Sequence, residues 1–220
     1  MVGFYQPRML LLGLLSLLIV NSTTGQSSSI DRPWGPGHFP PDESPQFFPP
    51  DIFGESRGRL AAYFGWYLRS MSESPLARYL DGKHPQVYRI LLVPPVGSPL
   101  VVRLSFGPSG EAGIAAKKGR SNRHPDDLVL DDTNAISREA AGTFLKLLND
   151  GAFWSAPTEP PFDLHHVVMG GIDCLLEGEK EGRYHAVDRK DAELGPLKSS
   201  FVYLVVGLAK IDLPSEPGHR

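Results

Sequence analysis

Apolar positions along this chain switch between a helical and a strand period several times. Leu60, Tyr63, Phe64, Tyr67, Leu68 and Met71 recur at helical spacing, which predicts a helix over 57–71 with Ser56 as N-cap. Ser74-Pro75 predicts a short helical turn ending near Gly82. The period then becomes that of strands. Val87–Val93 and Leu100–Phe106 are rich in β-branched residues and flank PPVGSP, and Ala112–Lys118 predicts a third strand. The polar stretch GRSNRHPDDL reads as a loop. Ser137 caps a predicted helix whose Ala141, Phe144, Leu145 and Leu148 share one face. Gly151 is expected as its left-handed stop, and Phe153 and Trp154 as core anchors for the chain leaving it.

Residues 170–190, GGIDCLLEGEKEGRYHAVDRK, read as a hairpin. Glu179-Lys180-Glu181-Gly182 fits a type I turn with glycine at the bulge position. That register sets Glu179 opposite Arg183, Glu177 opposite His185 and Asp173 opposite Arg189, with Leu176 facing Ala186. Opposite charges meet three times, each pair contributing about 0.2–1 kcal/mol. After Gly195-Pro196, the residues Leu197, Phe201, Leu204, Val205 and Leu208 predict a last helix, although FVYLVV also suits a strand. Pro214 ends it, leaving 214–220 as a frayed tail. The expected fold class is α+β: one domain over 55–213, in which three helices cover one side of an antiparallel sheet of four to six strands.

The first segment has a different character. Arg8 precedes the apolar run Met9–Val20, and small polar residues follow. This is the pattern of a secretory signal peptide over 1–25, with Thr23 and Gly25 before a cut at Gln26. Twelve apolar residues rise about 18 Å as a helix, short of a bilayer core of roughly 30 Å. The expectation is therefore an exported chain, periplasmic or extracellular, with no membrane span in its mature form. Seven prolines in 31–50 exclude helix and central strand there. Residues 26–54 then form a linker, or an arm laid on the domain by Trp34, Phe39, Phe47 and Phe48.

Composition narrows the function classes. The 220 residues include 23 Gly, 21 Pro and a single Cys, which excludes a collagen-like chain and a disulfide scaffold. Net charge is -3, and no basic surplus points to nucleic acid. Cys174 has no second cysteine to pair with, so burial must supply the stability.

Three segments carry a resemblance. FWSAPT at 153–158, GGIDCLLEG at 170–178 and GRYHAVDRK at 182–190 are similar to a group of exported bacterial proteins. These share F-W-x-L-P, then D-G-x-x-W-x-x-E-G, then G-x-Y-H-x-V-x-R-W-S-P. The resemblance spans about 80–190. Cys174 stands where the group has tryptophan, Ile172 where it has glycine, and Lys190-Asp191 replaces Trp-Ser. The group carries no established activity, so the resemblance implies a fold unit and not a chemistry.

Candidate chemistry is sparse. Glu177 beside His185 would make an acid–base pair, since a carboxylate can orient an imidazole and raise its pKa. Asp173, Tyr184 and Arg189 on the same hairpin are the candidate binding residues. His165-His166, with Asp163, Cys174 and His185, invites a metal reading, but adjacent strand residues point to opposite faces. Cys174 as a nucleophile would need a nearby cation, and an apolar strand face favours a buried thiol instead. GPSGEAG lacks the residues of a phosphate cradle, and KKGR reads as a solvated basic loop. No cofactor or metal is expected. The favoured function is a non-enzymatic binding or structural module whose partner is a protein or an envelope component. The rival is an envelope hydrolase using Glu177 and His185.

Overall fold

The structure, a computed structural model, describes residues 47–54, 57–76, 86–160 and 170–212. The signal-peptide segment, Trp34, Phe39, the Ser56 cap, Asp163, His165, His166 and the tail over 214–220 lie outside these residues. So does the body of the expected turn over 74–82.

Six strands form one antiparallel sheet: β1 Gln86–Val93, β2 Leu100–Phe106, β3 Ala112–Ser121, β4 His124–Ile136, β5 Asp173–Lys180 and β6 Arg183–Lys190. Their order is β4-β3-β2-β1-β5-β6. The helices are α1 Arg57–Ser70, α2 Arg138–Asp150 and α3 Lys198–Val202. A 3-10 turn at Gly195–Leu197 leads into α3, and a π-helical turn at Tyr203–Leu208 continues it. The helical reading of this last segment holds and the strand reading does not. The fold is thus α+β, with six antiparallel strands and three helices.

The helices do not share one side of the sheet, as expected, but divide between its two faces. Alternation in β1 sends Tyr88, Ile90 and Leu92 to one face, where they pack with Phe144, Leu148, Phe153, Leu197, Phe201 and Leu204. Leu91 and Val93 go to the other, against Phe64, Tyr67, Leu68 and Met71 of α1 and the turn after it. Phe47, Phe48 and Phe53 join that second core, so the described end of the proline-rich arm is laid on the domain. We call the two sides the α2 face and the α1 face. A strand sandwiched between helices needs apolar residues on both sides, which explains why VYRILLV is apolar on both faces except at Arg89.

Three local expectations change. The stretch 119–128 is not a loop, because β3 runs to Ser121 and turns directly into the 13-residue β4. β4 is a sheet edge and mostly exposed, so it carries aspartates where a central strand would carry valines. The left-handed residue after α2 is Ala152, at φ 55, while Gly151 stays right-handed at φ -75. Gly151 serves close approach instead: a Cβ there would lie 2.9 Å from Leu197 Cδ2.

The third change is the β5–β6 register. The loop holds only Glu181 and Gly182, with φ 53 and 78. Two central residues at positive φ define a type I′ turn, whose twist matches that of the strands. The pairing therefore slips by one: Glu177 faces Ala186, Glu179 faces Tyr184, and Asp173 faces Lys190. None of the three expected charge pairs forms. Burial decides the register, because the slip brings Leu176 and Val187 together on the α2 face.

Candidate functional site

Arg89 sits at the centre of β1, between Arg103 of β2 and Glu177 of β5, and all three side chains belong to the α1 face. It is fully buried, as is Glu177. Its Nε donates to Glu177 Oε2 at 2.8 Å. Nη2 lies 2.7 Å from the same oxygen, in ion-pair contact but not aligned for a hydrogen bond. Nη1 donates to the Ser74 carbonyl at 2.7 Å and reaches Glu73 Oε2 at 3.4 Å. The Tyr184 hydroxyl donates to the remaining Glu177 oxygen at 2.7 Å.

Glu73 follows α1 and brings the loop down onto the sheet. Besides Arg89 it meets Lys117 Nζ at 3.1 Å and Arg103 Nε at 3.6 Å. Two arginines directly opposite on neighbouring strands would repel, and this one carboxylate lies between them. Lys117 also donates to the Met71 and Ser72 carbonyls, at 3.1 and 2.9 Å. Burial alone would lower the Arg89 pKa, but the pull of Glu177 and then Glu73 outweighs it, and the net shift is upward. Burial pushes Glu177 above the usual carboxylate range, against the pull of Arg89 and the Tyr184 hydrogen bond. Tyr184 is held well above its ordinary value by burial and the adjacent Glu177 charge, and so keeps its proton.

His185 is not in this network. Its strand position sends it to the α2 face, where Nε2 lies 3.0 Å from the Ala156 carbonyl. A carbonyl only accepts, so Nε2 carries the proton. The ring packs on Phe153, with centroids 5.0 Å apart. Burial is the main cause of its lowered pKa. The fold therefore separates Glu177 from His185 by the thickness of the sheet, and no acid–base pair forms between them.

The candidate binding residues are also engaged internally. Asp173 accepts from the Tyr63 hydroxyl at 2.9 Å and pairs with Lys190. Arg189 donates to the carbonyls of Thr158 at 2.9 Å and Pro157 at 2.7 Å. Arg183 donates to the Trp154 carbonyl at 2.8 Å and lies over its ring. Together with His185 these side chains hold segment 154–158 alongside β6, and the Asp188 N–H adds a bond to the Thr158 carbonyl at 2.7 Å. Asp188 itself is pushed up to about 7, first by burial and then by the charge of Asp173. Cys174 is buried among apolar residues, and burial drives its thiol pKa far upward. That is the reverse of what a nucleophile needs. Among the described residues no three His, Cys, Asp or Glu side chains converge as metal ligands.

Sequence reasoning missed Arg89, Glu73, Arg103 and Lys117. A usable signal existed in the lone arginine inside VYRILLV, since a charge in a two-sided buried strand must find a partner. A groove of about 760 Å³ was missed as well. It opens on the α2 face between β3, β4, the start of α2 and the π-helical turn. Neither a protein-family model nor a curated protein matches the chain. Among the described residues no helix is long and apolar enough to cross a membrane.

Proposed function

We propose that the chain is an exported, non-enzymatic binding module whose partner is a protein or an envelope component. The observation that carries this reading is the commitment of the described candidates Glu177, His185 and Cys174 to internal contacts. Both Glu177 oxygens are taken, by Arg89 and by Tyr184. His185 is tied to a backbone carbonyl on the opposite face, and Cys174 is buried. General acid–base or nucleophilic catalysis needs such groups to converge on an opening. The hydrolase reading rests on a Glu177–His185 contact that this geometry does not provide. Export rests on the pattern of residues 1–25 and on the resemblance of the β5–β6 segments to exported bacterial proteins.

Native mass spectrometry of the protein purified gently from its natural source tests the reading. A bound polypeptide or small molecule, released unchanged, is the expected result, on a chain that begins at Gln26. Release of a chemically converted ligand overturns it. In parallel, His185→Ala should only lower stability, by about 1 kcal/mol for one lost hydrogen bond. Loss of a measurable turnover in that variant would instead establish an enzyme.

A further inference from the structure

Residues 155–160 run beside β6, and none of their side chains is fully buried. Their fastening is mainly polar. The Thr158 carbonyl accepts from the Asp188 N–H at 2.7 Å and from Arg189 at 2.9 Å, the Pro157 carbonyl from Arg189 at 2.7 Å, and the Ala156 carbonyl from His185 at 3.0 Å. A segment held this way opens at less cost than the core.

The Asp188 side chain lies under this fastening. It belongs to the α1 face of β6, opposite Leu175 and diagonal to Asp173, which pairs with Lys190. Among the described residues no donor or cation bonds its carboxyl. The titratable and charged groups around it are Asp173 and, through the sheet, Cys174 of β5, Lys190 and Arg189 of β6, Tyr63 of α1 and Glu159 of the segment itself. Glu159 Oε1 is buried and accepts no hydrogen bond. Two carboxyl groups from the segment and the strand it covers thus meet at one corner, an arrangement that a proton relieves.

From this juxtaposition we propose that residues 155–160 are a proton-operated latch on β6, held shut while Asp188 keeps its proton and loosened when it ionises. Burial and then the charge of Asp173 raise the Asp188 carboxyl to about 7; Lys190 and Arg189 oppose the rise and Glu159 adds to it. A proton held more tightly in the shut form closes the latch below that value, and the closing force is lost as pH rises through it. Opening takes Glu159 away, lets water reach the Asp188 carboxylate and uncovers the outer edge of β6. His185 acts in the other direction: burial lowers its pKa, so its own protonation disfavours the shut form as pH falls below about 6.5.

Amide hydrogen exchange of the full chain, followed by NMR from about pH 5.5 to 8.5 and expressed as protection factors, tests the latch. The Asp188 N–H reports on it, because its partner is the Thr158 carbonyl. The Ile90 N–H, on a central strand paired on both sides, is the reference. Over this range the Asp188 protection of the parent is expected to fall about five- to tenfold more than that of Asp188→Asn, which keeps His185 and so cancels its contribution. Urea well below the unfolding midpoint should speed exchange at Ile90 and leave position 188 nearly unchanged, since opening a short segment exposes little surface. An equal fall in the variant overturns the inference. So does exchange at Asp188 that tracks Ile90 at every pH and urea concentration, because the segment would then open only with the whole domain.

Discussion

Arg89→Met is the most informative single perturbation of the buried network. It keeps an apolar side chain of similar length while removing the charge and its donors. Glu177 is then left fully buried with only the Tyr184 hydroxyl, and the Ser74 carbonyl loses its donor. Glu73 is less affected, since Lys117 at 3.1 Å and Arg103 at 3.6 Å remain. Breaking one side of a buried ion pair costs about 3–5 kcal/mol. Domains of this size are stable by only about 5–15 kcal/mol, so the variant should sit near its folding limit. Glu177→Leu on the same background removes the stranded carboxylate and should recover part of the loss. The Tyr184 hydroxyl and the Ser74 carbonyl remain to be satisfied at about 1–3 kcal/mol each. Urea denaturation followed by tryptophan fluorescence measures both, with an unchanged m value certifying that the compact state is the same. A loss below about 1 kcal/mol for Arg89→Met, or a double variant less stable than the single, would refute the coupling described here.

Two further outcomes follow from the structure. The Asp188 carboxyl has a folded pKa of about 7, above an unfolded value near 3.9. The folded state therefore holds its proton more tightly, and this stabilising contribution is lost as pH rises through 7. Three pKa units set a ceiling of about 4 kcal/mol, and partial exposure reduces it to about 1–2 kcal/mol. Asp188→Asn should melt higher than the parent at pH 8 and alike at pH 4, and a gain independent of pH would sink the argument. Gly178→Ala places a Cβ 2.8 Å from Phe153 Cε1 and 2.9 Å from the Tyr88 ring. Overpacking of that kind costs about 1–3 kcal/mol, and Phe153→Leu on the same background should return part of it in a denaturation midpoint.

The legible parts of this fold were those in which one strong period met no competing rule. β1, β2 and α2 are of that kind, and the Ser137 cap lies where its spacing demands, its Oγ accepting from the Ala140 N–H at 3.1 Å. β4 was illegible because a solvent-facing edge needs little apolar alternation, and its aspartates resemble those of a loop. The stripe on α1 showed that it packs but not on which face, and only the two-sided burial implied by VYRILLV could have indicated a second layer. The hairpin register failed for a sharper reason. Charge matching favoured Glu177 with His185, but Glu177 finds its charge on β1, and the one cross-strand ion pair of the hairpin, Asp173 with Lys190, forms equally well in the slipped register, so charge matching could not choose between registers. The buried network is long-range by nature, joining residues 73, 89 and 177, and no local pattern encodes such a contact. His185 and Arg189, which stood out as chemistry, are fasteners of the segment beside them.

The two rims of the sheet are closed by different forces. At β6, backbone carbonyls of 154–158 are clasped by Arg183, His185 and Arg189, so another chain would have to displace a covalently attached competitor. At β4 the guard is electrostatic, a row of aspartates on an exposed strand. Acid neutralises such a guard and salt screens it, the latter within about 8 Å at physiological ionic strength. Any edge pairing of the folded chain would therefore be one-sided. Among the described residues β4 is then the one rim left to pair, and a contact confined to one rim would close as a pair joined β4 to β4 and not grow into an open-ended fibre.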